Sequence, residues 1–126
     1  MDLVTTRRNN IIWSINQNPV TIIINRTEKL ETEGHFTDVS SQIGPLNVRI
    51  FQVGDSTKTV SHLVGNKDIA DGWGLLADWQ ADLRQGSNIT DEFTIIGIGT
   101  FNIVSVQPQI VQGQVVGYQA ALELVS

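Results

Sequence analysis

Two histidines, His35 and His62, are the residues of this chain best suited to proton transfer or metal binding near neutral pH. Neither has an acidic residue at a metal-ligand spacing, so both read as solvated loop residues. There is no cysteine, which removes thiolate metal sites and disulfides. A nucleophilic triad needs Ser, His and an acid brought together from loops, and the chain lacks the Gly-x-Ser-x-Gly elbow that presents such a serine. Gly97-Ile98-Gly99 is a fragment of a phosphate-binding fingerprint, but no third glycine and no helix follow, so it reads as a tight strand connection. Asp68, Asp71, Asp78 and Asp82 do not have the spacing of a calcium loop and read as surface charge. Trp13, Trp73 and Trp79 would suit a sugar- or base-stacking platform, but large aromatic rings serve more often as core or interface anchors. The residues therefore point away from an enzyme, a metal centre or a bound cofactor.

The elements that would position these side chains belong to one domain, 1–126, long enough to bury a core without staples. The formal net charge of −5 opposes the counterion release that drives tight nucleic-acid binding. No apolar run is long enough for a membrane span. The first ten residues are polar, carry Arg7-Arg8 and lack the apolar stretch of a signal peptide, so a soluble cytoplasmic product is expected. Asn25-Arg26-Thr27 and Asn88-Ile89-Thr90 match the glycosylation sequon by chance on this reading.

The pattern predicts a mainly β fold, a small barrel or sandwich of antiparallel strands with a short N-terminal helix and a long loop. Residues 2–17 carry Ile11, Ile12 and Ile15 at helical spacing, with Asp2 as N-cap and Asn18-Pro19 as the stop. Strands are expected at 20–27 and 47–53, with a short one between them at 36–43. Charged residues 28–34 read as a connector, and Gly44-Pro45 as a turn. Residues 54–72 form a polar excursion of a length usually reserved for function or disorder. Residues 73–83 fit either a helix or a strand, and the glycines Gly72 and Gly74 favour the strand. Three strands follow at 92–96, 101–106 and 114–125, with a turn at 108–113.

The strand at 114–125 alternates in the manner of a half-buried wall. The strand at 101–106 opposes Phe101 and Ile103 to Val104 and Val106, so both of its faces seek cover. Apolar excess of this kind marks interaction surfaces, and a repeated heterologous contact would bury it in a ring. On physical grounds Arg49, Phe51, Trp73, Trp79 and Tyr118 are the candidate interface residues.

Several segments in this order resemble the head-completion, or head–tail connector, proteins of long-tailed bacteriophages and prophages. They are the N-terminal helix, Ile22-Ile23-Ile24-Asn25-Arg26, Val48-Arg49-Ile50-Phe51, a long loop, and Trp73-Gly74-Leu75-Leu76-Ala77-Asp78. The end of the chain carries the rest, in Phe101-Asn102-Ile103-Val104-Ser105-Val106-Gln107-Pro108 and Gly117-Tyr118-Gln119-Ala120-Ala121-Leu122-Glu123. The resemblance implies a structural virion protein without catalytic residues or cofactor. It would form a ring, twelvefold to match the portal and its adaptor, at the capsid–tail junction of the virion. The portal adaptor would lie above it and a tail terminator or tail-completion protein below. DNA would pass through the lumen without specific binding, and no membrane would be involved. A tail terminator is the neighbouring reading, and a small ligand- or carbohydrate-binding β-domain is the reading from another class.

Overall fold

A computed structural model describes residues 2–52 and 72–125. Helix α1 (Leu3–Gln17) is followed by strands β1 (Val20–Thr32), β2 (His35–Gln52), β3 (Trp73–Asp78), β4 (Ile89–Ile95), β5 (Gly99–Val111) and β6 (Gln114–Leu124). The strands close into an antiparallel barrel in the order β1-β2-β3-β6-β5-β4. The mainly β architecture with an N-terminal helix is therefore the one its alternation and turn residues predict. Of the expected excursion at 54–72, all but Gly72 lies outside the described residues.

Helix α1 begins where Asp2 accepts a hydrogen bond from the Thr5 amide at 2.8 Å, which satisfies one of the helix's orphan donors. It ends at Asn18, before Pro19. Its buried residues Val4 and Ile15 face the barrel wall rather than the barrel interior.

Several expected boundaries are corrected. Residues 28–32, read as a charged connector, continue β1, and the turn is only Glu33-Gly34. Both turn residues have positive φ (51° and 83°), the twist of a two-residue hairpin loop that matches its flanking strands. The expected strands at 36–43 and 47–53 are one strand, β2, as far as Gln52, with Val53 outside the described residues, and Gly44-Pro45 is a bulge inside it. There Ile22 pairs with Leu46 and Ile24 with Ile43, so Gly44 and Pro45 together oppose Ile23. The strand expected over 73–83 stops at Asp78, whose carboxylate accepts the Gln80 amide at 2.9 Å and turns the chain. The turn expected at 108–113 narrows to Gln112-Gly113, with φ of 52° and 78°, and Pro108 lies within β5.

The strand at 101–106 has one apolar face, not two. Ile103 pairs with Leu122 and Ser105 with Ala121, which leaves Val104 in a bulge. The extra residue reverses the alternation, so Val106 joins Phe101 and Ile103 in packing against the core. Only Val104, 47% exposed, is left outside.

The core consists of Ile22 and Ile24 from β1, Val48 from β2, Leu75 and Ala77 from β3, Leu83 from the segment after β3, Phe93 from β4, Phe101 and Ile103 from β5, and Ala120 and Leu122 from β6. Phe93 and Phe101 stack at 5.5 Å between centroids, and Trp73 meets Phe101 edge-on at 5.2 Å.

Because neighbouring strands alternate in direction, the β1–β2 and β5–β6 turns and segment 79–88 lie at one end of the barrel. The β4–β5 turn and the end of β6 lie at the other.

Candidate functional site

The polar centre of the molecule is an ion-pair cluster at the end where the long hairpins emerge. The inward series of β1 runs Ile22, Ile24, Arg26, so a guanidinium enters the barrel one step beyond the apolar core. Arg26 is opposite Asp91 in the β1–β4 ladder. Its Nε donates to Asp91 Oδ1 at 2.8 Å and its Nη2 donates to Asp91 Oδ2 at 2.9 Å, a bidentate pair between residues 3% and 0% exposed. Arg26 Nη1 donates to Asp82 Oδ2 at 3.2 Å, and Nη2 also reaches the Asp82 backbone oxygen at 3.1 Å. The Arg84 amide donates to Asp91 Oδ2 at 2.9 Å.

One strand residue thus ties the crossing segment 79–88 down over the barrel mouth. The bond from Arg26 holds the Asp82 carboxyl below the ordinary carboxylate range, and the two carboxylates push the guanidinium further up. Asp91 is committed at both oxygens and closed to solvent, so the cluster is built to hold a segment rather than to move protons. The sequence reading passed over this cluster. Its signal was there, since period-2 alternation from Ile22 puts Arg26 indoors, and alternation back from Phe93 does the same for Asp91.

The candidate interface residues do not gather in one place. Arg49, paired with Leu76 across β2–β3, points outward and donates from Nη1 to the Ser14 backbone oxygen at 3.1 Å and to Ser14 Oγ at 3.0 Å. A cation there meets the negative end of the helix dipole. Phe51 is 36% exposed and lies over Gly74, where the absence of a Cβ leaves room for the ring. Trp73 and Tyr118 pack against the core. Trp79, in the turn after β3, carries the Arg8 guanidinium 3.9 Å from its ring centroid. Arg8 Nε also donates to the Val115 backbone oxygen at 3.0 Å. Arg8 and Arg49 thus hold α1 to the wall at two points, near its middle and in its last turn, with Ile11 resting on Gly117 between them. Neither Trp73 nor Trp79 offers the bare pair of faces that a stacking platform needs.

His35 is exposed beside the β1–β2 turn, and His62, Asp68 and Asp71 lie outside the described residues. Among the described residues no three His, Cys, Asp or Glu side chains are grouped to hold a metal ion. No described helix is long and apolar enough to cross a membrane. Among the described residues the clefts on the outer wall include two. One, of about 560 Å³, runs between α1 and the β5–β6 hairpin past Arg7, Ile11 and Ile110. The other, of about 200 Å³, lies between Phe51, Trp73 and Gln107.

Exposed apolar side chains stand on the outer face of α1, with Trp13 65% exposed, and at the two barrel ends. β4 joins β1 only over 25–28, and β3 joins β2 only over 49–52. Beyond those pairings β1 and β2 continue as a two-stranded ribbon, and every residue from 29 to 42 is exposed. Leu30, Phe36 and Val39 are 48%, 64% and 41% exposed on it, and Ile110 of the second hairpin is 54% exposed. At the opposite end Ile96 is 96% exposed in the β4–β5 turn, with Ile98, Leu124 and Val125 all above 40%.

A search with this chain finds no matching family model, no matching curated protein and no matching solved structure.

Proposed function

We propose that the chain is a structural assembly subunit of the head–tail connector kind, one copy of a ring at a phage capsid–tail junction, and not an enzyme. The observation that carries this reading is the placement of large exposed apolar side chains at both ends of the barrel. A connector subunit is held between two neighbours along one axis, a portal adaptor and a tail component, and needs a sticky surface at each end. Between those ends the barrel is a rigid spacer, closed and without loose edges over most of its wall. The net charge of −5 suits a wall that DNA slides past without being gripped.

The test is localisation. In a cryo-EM map of tailed particles that contain this chain, its barrel sits in a ring between portal adaptor and tail, and particles made without it have unjoined heads and tails. Finding the chain inside the tail shaft, at the tail tip or absent from the particle refutes the connector reading.

A further inference from the structure

Closing the barrel pairs most strand edges, but among the described residues several stretches outrun their neighbours, and those at the hairpin end include β1 beyond Glu28, β5 beyond Asn102 and β2 ahead of Arg49. An open edge is a template for another strand. Two of these edges carry guards. The β1 stretch begins with Lys29, whose amide is already donated to the Asn88 backbone oxygen at 2.8 Å. The β5 stretch contains Pro108, which has no amide hydrogen to offer.

The β2 stretch carries its own proline, Pro45, in the bulge opposite Ile23, but from Ile43 to the turn at His35 it has no lysine, arginine or proline and its ladder to β1 is unbroken. Its one carboxylate, Asp38, faces Lys29 across that ladder. A two-stranded ribbon is marginal in water, whereas three or more strands with an apolar face hold together.

We infer that a second copy of this chain completes the ribbon. The two β2 strands pair antiparallel about a two-fold axis at Val39, giving a continuous four-stranded sheet. An unguarded edge matches its own copy, because antiparallel pairing about a two-fold axis presents the same residues from both sides. Charge excludes one register, and apolar contact favours the one beside it. An axis at Asp38 sets two carboxylates directly opposite each other, while an axis at Val39 sets each Asp38 opposite the second copy's Ser40. The same axis brings the two Val39 side chains together, with Leu30 beside them on the same face of the ribbon. The dimer is a property of the free chain and does not depend on the connector reading.

Sedimentation equilibrium on the purified full chain tests it. Wild type is expected at twice 13.9 kDa. Val39→Lys or Val39→Glu alone, each at an exposed position, weakens association about tenfold or more and moves the mass toward the monomer, since like charges then meet at the axis. An equimolar mixture of the two variants restores the dimer. A wild-type monomer at about 100 µM overturns the inference, as does a dimer indifferent to both variants. A larger closed oligomer that survives Val39→Lys also overturns it while favouring the ring, so the two readings fail separately.

Discussion

Arg26 is the residue on which the hairpin end of the barrel depends. Its guanidinium is buried only because Asp91 and Asp82 take up its donors. Removing one partner of such a pair leaves the other charge buried without compensation. Asp91→Ala is therefore expected to lower stability by about 3–5 kcal/mol, measured by urea unfolding. Asp82 is half-exposed, so Asp82→Asn has a smaller effect on stability at neutral pH. Its signature is in the acid limb. The folded-state pKa of Asp82 is depressed, so the group contributes stability above its unfolded value near ~3.9 and loses it as pH falls through the folded value. Below about pH 4 the wild type should lose stability faster than Asp82→Asn, and unfolding free energies measured across that range should converge.

Two contacts carry most of the logic at the scale of elements. Helix α1 approaches β6 closely because Gly117 has no side chain. A Cβ there would stand 2.6 Å from Ile11 Cδ1 and 3.1 Å from the Ala77 backbone oxygen. Gly117→Ala should lift the helix and destabilise by about 1–3 kcal/mol, and Ile11→Ala in the same chain should recover part of that loss in thermal unfolding. The hairpin turns are the second contact. Gly113 holds φ at 78° with open space around it, so Gly113→Ala meets only backbone strain, about 1–2 kcal/mol by chemical denaturation. The sequence reading placed the helix, its cap and its stop correctly, because those depend on neighbours within one turn. It placed the ends of β1, β2 and β5 short. The charged run 28–32, Gly44-Pro45 and Pro108 are local signals for turns, and cross-strand pairing overrode each of them.

For the whole molecule, the balance of charge and exposed apolar surface decides its behaviour. An acidic barrel with no basic groove among the described clefts should not retard double-stranded DNA at roughly physiological salt, and a gel-shift titration that showed tight binding would contradict the sliding-wall picture. Exposed apolar side chains stand on the ribbon, the second hairpin and the Ile96–Val125 end, and also on the outer face of α1, where Leu3, Ile12 and Trp13 are bare, so association should respond to changes at any of these. Of the residues chosen from sequence as interface anchors, Arg49 is engaged within the chain, Trp73 and Tyr118 pack against the core, and Phe51 and Trp79 keep substantial exposure. Residue type identifies a good anchor but not whether its own chain or another supplies the socket.

By itself the sequence determined that this is a β protein with one leading helix, because alternation, caps and turn glycines act over a few residues and need no tertiary partner. Only the tertiary structure decided which partners the buried charges meet, where strands outrun their turns, and which apolar faces stay bare. Those outcomes follow from register, and one bulged residue at Val104 was enough to turn two apparently dry faces of β5 into one.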